Sequence, residues 1–312
     1  MDMRLSYRIS SVKALLPSIY GGKNEDLYNG QARVEGETIG RSTKVILDNV
    51  SDYYMLSDRQ EWDICDDIPN WAPPLSRVFA EWNEDGGQQG VFAMSIDTTL
   101  ATGATAKEIG RLISRMCGYD TDLAIDDLEG TLSESRWVTI TSNWASLASK
   151  PVCGRPVWLG LKSALFISKS GKLLRPPVYI GDGCKLINDG ILQQTSTHSA
   201  LCVYGLGISF LHCKNVSTVE VDQSFNDKWH RLSGVAKYRF HILNIDHMKR
   251  TLRTEGRSDE LGQRKALHIC RGHFATYEDK PLFGKYTGTF WKPDHVRGDA
   301  EAGVTDKVYR VS

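Results

Sequence analysis

Across 312 residues the sequence has no C-x-x-C pair and no uninterrupted run of about 18 apolar residues, so neither a disulfide framework nor a membrane-spanning helix is expected. The seven cysteines, Cys65, Cys117, Cys153, Cys184, Cys202, Cys213 and Cys270, are odd in number and scattered. That argues against a disulfide framework and for a reducing compartment, with most thiols acting as small apolar side chains. The first sixteen residues carry an acid at position 2 and lack the long apolar core of a secretory signal. The standard catalytic signatures are missing too: there is no G-x-x-x-x-G-K-[ST], no G-x-S-x-G and no H-E-x-x-H. "GYDTDLAIDDLEG" is acidic but has neither the loop glycine nor the terminal glutamate of a calcium-binding EF-hand. Its acid pairs, Asp120/Asp122 and Asp126/Asp127, read as a solvated face rather than a metal site.

What is present is an ordinary composition, 41% apolar and 24% charged, unevenly arranged. Net charge is zero, yet residues 51–130 hold 16 Asp/Glu against 5 Lys/Arg, a net −11, and residues 226–312 hold 17 Lys/Arg against 11 Asp/Glu, a net +6. All eight histidines lie at or after His198. The two halves either attract one another within one fold or meet different partners, the acidic part a protein and the basic part an anion.

Periodicity predicts a mainly helical stretch over residues 1–60, including a helix in "RSTKVILDNVSDYYMLS" capped by Ser42 or Thr43. Pro69, Pro73 and Pro74 then exclude helix. "RVFAEW" and "QGVFAMSIDT" read as a β-hairpin about Gly86 and Gly87. "TAKEIGRLISRMCGY" reads as a helix with Ile109, Leu112, Ile113 and Met116 on one face. Strands follow in "RWVTITS" and "PVWLGLKSALFIS", a buried helix in "ILQQTSTHSALCVYGLGISFLHC", and strands in "STVEVDQ" and "YRFHILNID". No steady βαβ alternation appears, so the expected class is α+β: a helical N-terminal part, a mixed central region and a small β-rich C-terminal module. The expected division is 1–250 as an α+β recognition region, 251–264 as a charged linker or arm, and 265–312 as a basic His/Arg-rich β module.

The chemistry is densest in that module. If "LHICRGHF" is one extended strand, His268 and Cys270 share a face with Phe274, and Arg271 shares the other with His273. The two histidines then do not meet on one metal. His268 and Cys270 with His295 or His212 make only a weak zinc pattern, and no metal or cofactor is expected. Arg271 beside His273 is the more telling pair: a planar fork of donors suits phosphate, and a neighbouring imidazole can move protons. "WKPDHVRG" adds a second such pair, His295 and Arg297, while Trp291, Phe290 and Tyr286 offer aromatic faces for bases.

"LHICRGHF", followed by "TGTFW", "KPDHVRG" and a short terminal strand, resembles the C-terminal module of a family of phage and mobile-element proteins. Its best-known members are anti-CRISPR proteins acting on the type V-A effector nuclease. "DDIPNW" and "SALCVYGLGISFLHCKNVSTVEV" resemble upstream stretches of that family in the same order. The motif positions are His268, Arg271, Gly272, His273 and Trp291, with His295, Arg297 and Gly298 in the variable closing segment. Cys270 stands where the family often has another arginine, which weakens the expected grip on an anion. The resemblance implies a counter-defence protein in a bacterial host cytoplasm. It would recognise a target protein, even as a nascent chain, and bring about loss of the encoding mRNA, with target choice in the N-terminal region.

Three functions follow as expectations. The first is such a regulator, with Arg271, Gly272, Trp291, His295 and Arg297 contacting RNA or the ribosome and His268 and His273 transferring protons or hydrogen-bonding. The second is a metal-independent ribonuclease using His268 and His273. The third is a stoichiometric protein inhibitor with no RNA role. None involves a membrane.

Overall fold

Four long segments rich in apolar residues, alternating in part of one and consecutive in the others, form the centre of the structure, a computed structural model. They are β2 (Arg77–Glu84), β3 (Gly87–Asp97), β4 (Trp137–Leu147) and β5 (Pro156–Ile167), paired consecutively and antiparallel. The structure describes residues 4–11, 25–56, 68–84, 87–100, 108, 111, 129–147, 156–180, 191–222, 239–244, 266–270, 273–282, 284–292, 295–297 and 299–304. The helix expected around Ile109 to Met116 and the charged arm 251–264 lie outside the described residues, apart from positions 108 and 111.

The central strands extend to an eight-stranded sheet. β6 (Val178–Ile180) lies beyond β5, and β1 (Thr43–Ile46), β8 (Arg239–Asn244) and β7 (Ser217–Asp222) follow beyond β2, in that order. β1 runs parallel to both neighbours, β2 and β8. The class is therefore mixed α+β, with helices beside a largely antiparallel sheet.

The helix expected from Arg41 to Ser57 is corrected: its first half is strand β1, and only Asp48–Leu56 is helical, as α3. The physical reason is burial on both sides. Lys44, Val45 and Ile46 are each under 5% exposed and sit between two strands, an environment that favours β-branched residues in extended conformation. Leu47 then closes the strand, and its carbonyl accepts from the Val50 and Ser51 amides to start the helix.

Helices α1 (Leu5–Ser11) and α2 (Glu25–Gly40) form a cluster with one face of the sheet. Leu5, Ile9, Ala32 and Ile39 meet Phe79, Phe92 and Trp144 there, each fully or nearly buried. Removing a Leu or Phe side chain of this kind from water contributes about 1.5–3 kcal/mol. Helix α4 (Glu129–Glu134) is a short turn before β4.

The apolar helix expected after residue 190 is α5 (Ile191–Leu211), buried at every position from Ala200 to Phe210. Its two glycines allow close approach. A Cβ at Gly205 would overlap the Trp71 indole, and one at Gly207 would come within 2.7 Å of Leu47 Cδ1. The proline-rich segment before β2 is thereby fixed against the helix. Ser209 Oγ donates to the Asn70 carbonyl (2.8 Å) and accepts from the Asn70 amide (3.2 Å), and the Trp71 amide donates to Gly171 O (2.7 Å). Among the described residues no helix is long and apolar enough to cross a membrane.

The chain divides into two compact units, one of Met1–Ser209 with Val219–Leu243 and one of Phe210–Thr218 with Asn244–Ser312. The second contains β9 (Ala266–Cys270), β10 (His273–Leu282), β11 (Tyr286–Lys292), β12 (His295–Arg297) and β13 (Asp299–Val304). They form two small sheets, β10–β11 and β12–β9–β13.

Candidate functional site

The stretch expected as a single strand from Leu267 to Phe274 is two strands in different sheets. β9 ends at Cys270, where its partners are β12 and β13, and β10 begins at His273, where its partner is β11. Because the hydrogen-bonding partners change between them, side-chain alternation cannot be carried from His268 through to His273. Arg271 and Gly272 lie outside the described residues, as does Gly298. The expected pairing of Arg271 with His273 is therefore not placed.

The β10–β11 hairpin has two distinct faces. On one, Phe274 lies opposite Trp291 and Thr276 opposite Thr289. The Phe274, Trp291 and Phe210 rings meet with centroids 4.8–5.2 Å apart, and the two threonine hydroxyls bond at 3.0 Å. Asn215 fixes this face by bonding the Trp291 backbone twice, from Nδ2 to the carbonyl (3.0 Å) and at Oδ1 from the amide (3.1 Å). Trp291 is 2% exposed. Its ring, expected as a platform on which RNA bases stack, is packed against Phe210 and Phe274 within this unit.

The other face is cationic and aromatic. His273 lies directly opposite Lys292, Ala275 opposite Phe290, and Tyr277 opposite Gly288. His273 is exposed, and Lys292 and Tyr277 are half-buried. Lys292 Nζ sits 5.3 Å from the Tyr277 ring centroid, which in turn meets Phe290 edge-on at 5.9 Å. At the hairpin end Tyr286 is 42% exposed, with Lys285 beside it. Such a face can hold an anionic group at His273 and Lys292 and an aromatic or apolar group beside Tyr277.

In the three-stranded sheet the strand register brings other expected residues together. His268 on β9 is opposite Arg297 on β12, Ile269 opposite Val296, and Cys270 opposite His295. Since alternate residues share a face, His268, Cys270, His295 and Arg297 occupy positions on one face of the β9–β12 pair. Two of the expected histidines thus fall with the expected arginine, and His273 falls in the other sheet. Among the described side chains no group of three His, Cys, Asp or Glu is arranged to hold a metal.

A buried ionic layer in the first unit went unnoticed in the sequence. Glu35 on α2 accepts from Trp144 Nε1 (2.7 Å) and from Ser142 Oγ, and its second oxygen lies 3.6 Å from Lys162 Nζ. Ser142 and Lys162 face each other across β4 and β5, and both are under 5% exposed. Burial pushes the Glu35 carboxyl up from its usual value, opposed by the Lys162 charge and the Trp144 bond. Glu81 on β2 is the counterpart under α1. It accepts from the Ser6 amide (3.1 Å) and Ser6 Oγ (2.7 Å), and burial again raises its carboxyl. Lys44, whose Nζ donates to the Gly40 and Ser42 carbonyls, is lowered to about 8 by burial against the opposing Glu81 charge. The signal was available: Glu35 falls on the same helical stripe as Ala32 and Ile39, and Lys162 interrupts an apolar strand. With Ser142 and Lys162 closed off from solvent, this layer joins α2 to the sheet.

No family model matches the chain, and no curated protein or solved structure matches it.

Proposed function

We propose that this protein is a counter-defence or regulatory protein of the phage and mobile-element kind, which binds a target protein and contacts RNA or the ribosome through its C-terminal unit. The observation that carries the RNA half is the face on which His273 opposes Lys292 and Lys292 lies over Tyr277. It combines two groups suited to phosphate with an aromatic ring suited to a base, on a strand pair whose other face is occupied by its own core. The target-binding half rests on the family resemblance and the acidic 51–130 region. The contribution of that region would come from residues outside the buried strands β2 and β3.

A ribonuclease working through His268 and His273 is the less favoured reading. General acid–base cleavage needs both groups at one phosphate, and no strand pairing joins the two residues, which lie in different sheets. A stoichiometric inhibitor without an RNA role would leave the exposed His273 face unused.

The test is equilibrium binding of the purified full chain to a fluorescein-labelled single-stranded RNA across a salt series. Affinity should fall with salt, and Lys292→Ala should weaken binding and flatten the salt dependence by about 0.7 in log–log slope, one phosphate contact on a single strand. Binding that is absent, or unaltered in the variant, would overturn the proposal.

A further inference from the structure

The β10–β11 hairpin is met on its second edge by the segment of chain that follows α5. The Lys214 amide donates to the Thr289 carbonyl (3.0 Å), and Asn215 bonds both the amide and the carbonyl of Trp291. Lys214 is thereby held beside β11, on the edge away from β10. Its side chain packs against Gly288, where a Cβ would lie 3.2 Å from Lys214 Cε and 3.3 Å from Cγ. Gly288 has a φ of +112°, a conformation that other residues rarely adopt, so the backbone itself keeps this position free of a side chain. Lys214 is exposed, and a lysine whose stem lies along the chain in this way keeps its ammonium in water.

Gly288 is the residue directly opposite Tyr277. Two cations therefore bracket that ring. Lys292 Nζ lies 5.3 Å from the Tyr277 centroid, and the Lys214 stem lies against the residue facing Tyr277. Along β11 the positions of Lys292 and Gly288 are four residues apart, about 13 Å at a rise of about 3.3 Å per residue. A stacked nucleotide strand advances about 3.4 Å per nucleotide, so the span matches about four nucleotides. A ring between two phosphate-binding cations suits a chain whose bases are free to leave the stack. A duplex keeps its bases paired and stacked on one another, whereas a single strand can turn one out onto the ring.

Building on the reading of the His273–Lys292 face as an RNA-contacting surface, we propose that Lys214 is a second phosphate-binding residue of that surface. Its ligand is a single-stranded segment of about four nucleotides that follows β11 from Lys292 to Lys214. One unstacked base of that segment sits at Tyr277. Gly288 is a positioning residue, since it leaves room for the Lys214 stem.

The test is fluorescence anisotropy of the full-length protein with a fluorescein-labelled single-stranded RNA across a salt series. The competitor is the same strand, unlabelled, alone or annealed to its complement. Lys214→Ala should weaken binding and lower the log–log salt slope by about 0.7, and Lys214→Ala with Lys292→Ala by about 1.4, one phosphate contact for each lysine. Lys172→Ala, the same loss of an exposed charge in the other unit, should leave the slope as it was. The annealed competitor should displace the label at least about tenfold less well than the single strand. Gly288→Ala should reproduce part of the Lys214→Ala loss; if that variant does not fold, the Lys214→Ala slope decides alone. A parent protein that binds no RNA would overturn both this proposal and the reading beneath it. If Lys292→Ala weakens binding while Lys214→Ala does not, or if Lys172→Ala weakens it as much, this proposal alone falls. Equal competition by the duplex would also overturn it and leave the Lys292 contact standing.

Discussion

His273 on β10 lies directly opposite Lys292 on β11, and Lys292 Nζ sits 5.3 Å from the centroid of the Tyr277 ring, four residues beyond His273 on the same face. The opposite face of this hairpin carries Phe274 and Trp291 packed with Phe210, whereas on this face His273 is exposed and Lys292 and Tyr277 are half-buried beside the buried Phe290. Replacing Tyr277 by leucine keeps much of the apolar contact with Phe290 but removes the stacking surface. If a base stacks there, RNA affinity should fall by about 1–3 kcal/mol, measured by fluorescence anisotropy with unfolding curves as a control. Unchanged affinity in a folded variant would remove Tyr277 from the interface.

Trp291 should behave in the opposite way. Trp291→Ala opens a cavity between Phe210 and Phe274 and should cost about 3–5 kcal/mol of stability, read as a lower urea midpoint. Trp291→Phe should cost less and leave RNA affinity as it was. An RNA defect in a stable Trp291→Phe protein would contradict the core assignment.

The Glu35–Lys162 pair makes a prediction for the first unit. Glu35→Leu leaves Lys162 as an unpaired buried cation and should cost about 3–5 kcal/mol. Glu35→Leu with Lys162→Met removes both charges and should recover most of that loss, a coupling measured by a double-mutant cycle in urea. Additive losses would show that the two groups do not interact.

Stability should also depend on pH through these buried groups. Burial raises Glu35 and Glu81 above the ordinary 4.5, so the folded chain keeps protons that the unfolded chain has released. Stability from these two therefore falls as pH rises above about 4.5, the reverse of the usual paired carboxylate. Lys44 is lowered from 10.5 to about 8, so between those values the unfolded chain binds the extra proton and stability rises with pH. Urea midpoints from pH 8 to 10.5, compared with Lys44→Met, isolate that rise as a difference in slope. Equal slopes would place the Lys44 ammonium in a more hydrated setting.

Much of the sheet was legible because β2, β3 and β5 carry strict alternation or a long apolar run, and α5 is apolar through its second half. The β1–α3 junction was not. "TKVI" is too short to show a period, and its buried lysine makes it resemble the exposed side of a helix. In the candidate site, residue types were readable and pairing was not. Nothing local distinguishes one strand through Leu267–Phe274 from two strands with different partners, since β12 lies some 25 residues downstream of β9. The burial of Trp291 depends on Asn215 and Phe210, more than 70 residues earlier in the chain, so no pattern around the tryptophan itself could reveal it.

RNA contact by the C-terminal unit through the His273–Lys292 face is the proposal on which the other readings depend. Ultraviolet crosslinking of the full-length protein in bacterial cells, followed by sequencing of the attached RNA, tests it most directly. Crosslinked RNA is expected above an unrelated control, with at least a tenfold loss (about 1.4 kcal/mol of binding free energy) in the His273→Glu/Lys292→Glu double variant at equal protein level. Background recovery of RNA, or equal recovery from the double variant, would contradict it.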